Sequence, residues 1–278
     1  MAIDYFLMRR QVRPGNVPEE HRVTIVLDLT GRIALVTGGT RGVGRGIASR
    51  LLDAGAEVIA CGRNGPGELP TGADGRSCHF LATDVRDPDA VDVLVTAIVE
   101  GWGSLDLAVN NAGGSPVVDA ATASPRFTEK VIALNLTAAL HVAQRANTQM
   151  QSQPDGGAIV NVASMSGLRP SPRTAAYGAA KAGLVNLTRT LAVEWAPKVR
   201  VNAVAPGIVR TEQFEDFYGG PTGAAAVAAT VPQGRVAEPT EVGDAVAYLA
   251  SPLASFVSGA VLEVHGGGEA LAFTAHLS

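Results

Sequence analysis

Tyr177 and Lys181 stand four residues apart in Tyr177-Gly178-Ala179-Ala180-Lys181, a segment of helical period, so their polar ends share one face a single turn apart. An unperturbed phenol titrates at about pH 10, too high for work at neutrality. A neighbouring ammonium favours the phenolate and draws the group towards neutral pH, which makes it a working proton donor and acceptor. Taken alone, such a pair is as readily an amphipathic surface couple. A second feature changes its weight: Thr37-Gly38-Gly39-Thr40-Arg41-Gly42-Val43-Gly44 places glycines where a strand reverses into a helix. A backbone without side chains can approach phosphates closely, and the helix that follows offers unpaired N–H groups and the positive end of its dipole to a pyrophosphate. Together the two features point to a nucleotide-using site rather than to a plain turn and a surface pair.

Other chemistries find no footing. The five histidines, His21, His79, His141, His265 and His276, have no paired spacing that would gather zinc, and Cys61 and Cys78 lie in no metal-ligand or redox spacing, so no metal is expected. Two cysteines cannot build a disulfide framework, which fits a reducing compartment. Lys plus Arg number 22 against 26 Asp plus Glu, with no basic block, and this argues against a nucleic-acid partner. No apolar run approaches a membrane span, and the short apolar stretch Tyr5 to Met8 has Asp4 before it and Arg9 and Arg10 after it, the reverse of a secretory signal. The expected location is the cytoplasm.

The elements that must position these groups can be read from the alternation of short apolar runs with longer segments of helical period. Residues 1–28 mix charges and turn formers and read as an N-terminal arm; residues 29–278 read as one catalytic domain with no linker. Strands are expected at Ile33–Val36, Val58–Cys61, His79–Ala82, Leu105–Val109, Ala158–Val162, Val199–Val204 and Val261–Val264. Helices are expected after the glycine turn to Ala54, from Asp87-Pro88 to Gly101, from Phe127 to Met150, from Ala175 to Trp195, and from Pro239. Strands in alternation with helices specify an α/β fold: one doubly wound parallel sheet of seven strands with helices on both faces.

At this level of detail the chain resembles the short-chain dehydrogenase/reductase family, a group of Rossmann-fold oxidoreductases, over Leu29 to Gly267. Its glycine pattern matches Thr37, Gly38, Gly42 and Gly44. Its N-N-A-G pattern matches Asn110, Asn111, Ala112 and Gly113, and Ser164 lies thirteen residues before Tyr177, as the family's serine does. The resemblance implies a catalytic set of Asn135, Ser164, Tyr177 and Lys181. In it Tyr177 protonates a carbonyl oxygen while a nicotinamide delivers hydride, or the reverse. Lys181 lowers the Tyr177 pKa and holds the cofactor ribose, Ser164 orients the substrate oxygen, and Asn135 holds a relay water. It further implies a cofactor cradle of Gly38, Thr40, Arg41, Gly42, Val43, Gly44, Arg63, Asp84, Val85, Asn111, Ala112 and Gly113, with Tyr177 and Lys181. Asp84 caps the adenine pocket, and Pro206, Gly207, Val209 and Thr211 stand against the nicotinamide amide. Read singly, Asn110 and Asn135 are equally backbone caps and Ser164 a turn residue.

Where the resemblance leaves choices, individual residues guide the expectation. The second strand ends in Cys61-Gly62-Arg63, with no carboxylate for a ribose 2′-hydroxyl, and Arg63 with Arg41 offers cations to a 2′-phosphate. NADP(H) is therefore expected over NAD(H). The substrate is expected to be a free carbonyl or alcohol, or a soluble thioester. The regions where carrier-protein reductases of the family present basic side chains read Met150–Gly157 without Lys or Arg, and Leu191–Trp195 with Glu194. A carrier-dependent 3-ketoacyl reductase and a non-catalytic dinucleotide sensor are the alternatives. The variable wall of the substrate pocket is expected in Ser115–Pro125 and Gln213–Val231, with Phe214, Phe217 and Tyr218 as an apolar lid. Val264-His265-Gly266-Gly267 departs from the family's V-D-G-G, and the apolar tail Leu271-Ala272-Phe273 is expected at a contact within a homotetramer.

Overall fold

The computed structural model describes residues 27–269. The expected arm, apart from Leu27 and Asp28, and the tail Leu271-Ala272-Phe273 lie outside the described residues. Strand β1 (Ile33–Thr37) shows why its run is apolar at every position. Ala34 and Val36 face one core while Ile33 and Leu35 face the other, and all five residues are buried. A strand covered on both faces cannot alternate polar with apolar.

The glycine turn leads into α1 (Gly42–Asp53), followed by β2 (Glu57–Gly62), β3 (His79–Ala82), α2 (Pro88–Trp102) and β4 (Leu107–Asn110). Next come α3 (Pro125–Ile132), a π-helical turn (Ala133–Thr137), α4 (Ala138–Ser152), β5 (Gly157–Val162) and α5 (Ala175–Glu194). Strand β6 (Val199–Pro206), α6 (Phe214–Phe217), α7 (Gly220–Ala229), α8 (Pro239–Ala250) and β7 (Val261–Val264) complete the order. The seven strands form one parallel sheet in the order β3-β2-β1-β4-β5-β6-β7. The chain winds outward from β1 to β3 and then restarts beside β1 at β4. The carboxyl ends of β1 and β4 therefore part into a crevice, the place where doubly wound sheets bind ligands.

Two apolar cores sandwich the sheet. Ile47 and Leu51 of α1 pack with Val242, Val246 and Leu249 of α8 on one face. Leu94, Val95 and Ile98 of α2, Val142 and Ala146 of α4 and Leu191 of α5 fill the other. Helices α1 and α8 cross backbone to backbone: a Cβ on Gly46 would lie 2.3 Å from the Pro239 carbonyl carbon, and one on Gly243 would lie 2.7 Å from the Gly46 oxygen.

Three local departures from the sequence reading have physical causes. Strand β4 begins at Leu107 rather than Leu105 because the Gln153 side chain, accepting from the Leu105 N–H at 2.9 Å and donating to its carbonyl at 3.1 Å, takes the ladder's place there. The strand runs on to Asn110, which pairs with Asn161. The helix expected over 127–150 starts two residues earlier, where Ser124 caps the Phe127 N–H at 3.2 Å and Pro125 takes the first helical position. It is also broken by the π turn, an inserted residue that a 3.6-residue period does not reveal.

Substituting Gly46→Ala should cost about 1–3 kcal/mol in urea denaturation, because the backbones of α1 and α8 must separate. Gly101→Ala, in α2 with open space where its Cβ would stand, should be neutral or stabilising by less than about 1 kcal/mol.

Candidate active site

The cradle is built from β1, α1 and the end of β4. Gly38 and Gly42 adopt φ of 61° and 51°, and a Cβ on Gly44 would lie 2.1 Å from the Gly38 carbonyl oxygen, so the turn folds only with glycine there. The Thr37 hydroxyl accepts from the N–H groups of Asn111 and Ala112, each at 3.0 Å, and donates to the Val109 carbonyl at 3.2 Å. The Asn111 amide donates to the carbonyls of Thr37 at 2.9 Å and Gly38 at 3.1 Å. Asn111 thus acts on the shape of the cradle, while Ala112 and Gly113 leave open the wall beside it.

Helix α1 enters through Arg41, whose backbone is extended and whose side chain makes no cap bond. The anion at that helix end is a residue the sequence reading missed: Glu212, whose two carboxylate oxygens each accept from the Gly42 N–H at 3.0 Å. Those bonds, with Arg45 and Arg41 nearby, hold the carboxyl below its ordinary pKa against an opposing burial effect. Glu212 directly follows Thr211, which itself packs over Gly42, and that adjacency was the available signal. An acid held by the first amide of a glycine-entered helix stands where such helices take phosphate. The residues present therefore fit a dinucleotide: Gly38, Thr40, Arg41, Gly42, Val43 and Gly44 would take its pyrophosphate. Arg63, at the exposed end of β2, would stand by the ribose, and Asp84 and Val85 by the adenine. Asp84 is held by Arg86 at 2.9 Å and its pKa falls to about 2, with Arg63 adding a smaller pull. Val85 is buried in the sheet core.

The second half of the site lies at the ends of β4 and β5 and on α5. Lys181 is fully buried and donates from Nζ to the Val162 carbonyl at 2.7 Å, and burial pushes its pKa down to about 8. Its Nζ stands 5.6 Å from the centre of the Tyr177 ring. Burial raises the Tyr177 pKa, and the Ser164 hydroxyl pulls it back towards the phenolate. The lowering expected from Lys181 is not found: desolvation of the phenol prevails, and the pull towards the phenolate comes from Ser164. Ser164 Oγ accepts from the Ser166 N–H at 3.1 Å, which leaves its own proton to donate. Asn135 sits in the π turn, accepting from the Gly114 N–H at 2.8 Å and donating to the carbonyls of Gly114 and Val131, each at 2.9 Å. A Cβ on Gly113 would lie 2.6 Å from Asn135 Oδ1 and 3.4 Å from Lys181 Nζ, so these residues meet across Gly113.

Beneath them runs a buried polar chain that sequence reasoning also missed. Asn110 donates to Asn161 at 2.9 Å, Asn161 to Thr188 at 2.9 Å, and Thr188 to the Leu184 carbonyl at 2.8 Å. Thr188 lies two turns beyond Lys181 on the same helix face, so the chain fixes the rotation of α5 against the sheet.

Beside Ser164 opens a cavity of about 280 Å³. Its walls come from Ser164–Arg169, from Pro206, Gly207, Val209 and Thr211, and from Phe214, Phe217 and Tyr218. The second wall segment appears as expected, but Ser115–Pro125 contributes nothing to this cavity. Val118 of that loop instead donates to the Arg173 carbonyl at 2.8 Å. His265 bonds Glu263 at 2.8 Å and accepts from the Gly267 N–H, a structural role at the end of β7.

A family model described as enoyl-(acyl carrier protein) reductase matches residues 38–269. The cis-4-hydroxycyclohexanecarboxylate dehydrogenase of Sinomonas cyclohexanicum is 39% identical over 250 residues, which are 85% of this chain and 96% of that one. This chain belongs to the short-chain dehydrogenase/reductase family. The 3-oxoacyl-[acyl-carrier-protein] reductase of Vibrio cholerae is 34% identical over 87% of this chain and 98% of its own length. The ligand-free aldohexose dehydrogenase of Thermoplasma acidophilum superposes with a TM-score of 0.80 at 30% identity, covering 86% of this chain and 94% of that one. The dehydrogenases and reductases of this family are NAD(P)-dependent oxidoreductases acting on small molecules, and the present chain is one of them. Among the described residues no helix is long and apolar enough to cross a membrane.

Glu212→Gln should tighten dinucleotide binding several-fold, because a neutral amide competes poorly for an N–H that favours anions. Fluorescence titration with the reduced cofactor at low salt measures it, and weaker binding by the variant would show that Glu212 instead supports the cradle.

Proposed function

We propose that this protein moves a hydride between NADP(H) and a secondary alcohol or its ketone, with Tyr177 as general acid and base. The observation that carries this reading is the convergence of Ser164, Tyr177, Lys181 and Asn135 on one wall of the crevice whose other wall is the glycine cradle. A nicotinamide dinucleotide bound there supplies or accepts the hydride. The chain does the rest. Ser164, whose hydroxyl hydrogen-bonds the Tyr177 phenol, shares that bond with the substrate oxygen and orients it, and Tyr177 Oη gives that oxygen its proton in reduction or takes it in oxidation. Lys181 is held beneath the phenol by the Val162 carbonyl, and its charge balances the phenolate left after transfer. Asn135 has every polar atom of its side chain engaged, so a relay water would be held by main-chain groups of its π turn. Pro206, Gly207, Val209 and Thr211 line the cavity where the nicotinamide amide would rest.

The preference for NADP(H) rests on Arg41 and Arg63, both exposed at the rim of the cradle, and on Gly62 in place of an acid. A free small substrate is favoured over a carrier-bound one. Of the cations near the expected docking face, Lys198 is committed to the carbonyls of Gln151 at 2.8 Å and Gln153 at 3.1 Å, while Glu194 is exposed there. Residues 29–278 act as one catalytic unit in this reading. Assembly into a homo-oligomer is supported by Phe256 and Val193, apolar side chains exposed at 102% and 81%.

Tyr177→Phe should retain cofactor binding and lose turnover by about 100-fold or more across a panel of ketones and alcohols. Normal turnover in the folded variant would remove Tyr177 from the mechanism. Wild-type protein should bind NADPH more tightly than NADH, and Arg63→Ala should narrow that ratio; an unchanged ratio, or tighter NADH binding, would reverse the assignment. A 3-ketoacyl group on a carrier protein should be reduced no faster than its small thioester analogue.

The folded pKa of Lys181, about 8, lies below the ordinary value of 10.5, so between these values the unfolded chain holds a proton that the folded chain has lost. Stability therefore rises with pH across that window. Urea melts of wild type and Lys181→Met should diverge below it and converge towards its upper end as the burial penalty on the charged amine disappears.

A further inference from the structure

Arg169 is the one charged side chain in the wall of the cavity beside Ser164. It is rigidly placed with respect to that serine. The Ser164 carbonyl accepts from the Gly167 N–H at 2.9 Å, and the Met165 carbonyl accepts from the N–H groups of Leu168 and Arg169, each at 3.0 Å. The six residues from Ser164 to Arg169 are thus one hydrogen-bonded turn. One arm of the guanidinium donates to the Pro170 carbonyl at 2.8 Å, and the other binds a carboxylate, that of Glu269. The Tyr218 hydroxyl, which also lines the cavity, lies close enough to feel both members of that pair.

Glu269 reaches Arg169 from the segment after β7, across 100 residues of sequence, on Gly266, Gly267 and Gly268, whose φ values are 62°, 95° and 87°. Gly266 and Gly267 are packed against Val231 and Pro232, whereas Gly268, directly before Glu269, has open space where a Cβ would stand and leaves the backbone there few steric restraints. Arg169 is 38% and Glu269 34% exposed, so the pair is wet and of little intrinsic strength. A carboxylate carried into the cavity by a substrate would meet the same planar fork with less water around it, and would replace Glu269 at small cost.

We propose that Arg169 is a specificity-determining residue that binds a carboxylate on the substrate, so that the protein acts on hydroxy acids and oxo acids whose acid group is remote from the reacting carbon, and that Glu269 occupies this position when no substrate does. This rests on the oxidoreductase reading of the same site. The reacting oxygen lies at Ser164 and Tyr177, the acid at Arg169, and the apolar body of the substrate against Phe214, Phe217 and Tyr218.

The test uses the full chain and matched pairs: 4-oxocyclohexanecarboxylate with its primary amide, and 5-oxohexanoate with its primary amide. For wild type, kcat/KM should favour the acid of at least one pair by about 10-fold or more, since a charge-assisted bond is lost with the amide. Arg169→Gln should abolish that preference by raising KM for the acid about 10-fold or more. Glu269→Gln should move it the other way, lowering KM for the acid several-fold. The opposite signs separate a binding role from a structural one, because a merely structural ion pair would be broken alike by either substitution. Equal use of acid and amide by wild type, a preference that survives Arg169→Gln, or the same direction of change in both variants overturns the inference. Turnover of neutral ketones with neither acid accepted also overturns it and leaves the oxidoreductase reading standing. Cofactor binding without turnover of any ketone or alcohol overturns that reading instead.

Discussion

The closest approach in the cradle, between Gly44 and the Gly38 carbonyl, is the constraint on which the rest of the site depends. With a Cβ 2.1 Å from that oxygen the turn could not close, α1 would be displaced from the end of β1, and its first amides would no longer face the crevice. The same turn is fastened from the other side by Thr37 and Asn111, which join the end of β1 to the end of β4. The crevice is therefore held by a close main-chain approach on one bank and by the Thr37 and Asn111 side chains on the other. Because those side chains are spent on the banks, the first amides of α1 are left facing the crevice, where an anion can take them. Glu212 shows the strength of that demand: among the described residues, the chain's own carboxylate satisfies the first amide of α1.

The half of the site that holds Tyr177 and Lys181 is built on a different principle, burial of charge. A fully buried ammonium is costly unless its protons are engaged, and Lys181 has the Val162 carbonyl as partner while its pKa falls to about 8. Such a group is stable only if α5 cannot rotate. The Asn110–Asn161–Thr188 chain meets that need, since every link is buried and the Asn161–Thr188 bond crosses from sheet to helix. The polar groups that orient α5 thus lie in the core, two turns from Lys181.

This division explains what was legible in the sequence. The inner strands were readable because both faces of the sheet are buried there and a run such as Ile33-Ala34-Leu35-Val36 is apolar throughout, whereas the edge strands β3 and β7 are partly exposed and were readable from their place in the alternation of strand and helix. Tyr177 and Lys181 were readable because four residues make one helical turn, and the glycine turn because only glycine fits. The π turn at Ala133–Thr137 was not, because inserting one residue leaves the apolar period almost intact on either side. Nor were Gln153 ending the β4 ladder, Glu212 on Gly42, or Glu269 on Arg169. In each case the partners are 48, 170 and 100 residues apart, and a local pattern carries no record of a long-range side-chain contact. Asn111 was legible as a member of the site but not as the clamp that its two bonds to the turn make it.

Chemistry and selection consequently rest on parts of different rigidity. Ser164, Tyr177 and Lys181 stand just beyond β5 and on α5, locked by sheet register and the buried polar chain. The cavity that must recognise a substrate is walled by Phe214 to Tyr218 and the turn ending at Arg169, with the glycine joint before Glu269 beside them. A sheet and helix packed on both faces cannot shift to suit a new substrate without losing its cores, whereas a wall made of short helix, turn and glycines can. Proteins named for a ring hydroxy acid, a carrier-bound oxoacyl chain and an aldohexose resemble this chain at 30–39% identity. A wall of the second kind is one in which a single side chain, as Arg169 does in the present cavity, sets a charge without disturbing the sheet and helix that hold Ser164, Tyr177 and Lys181.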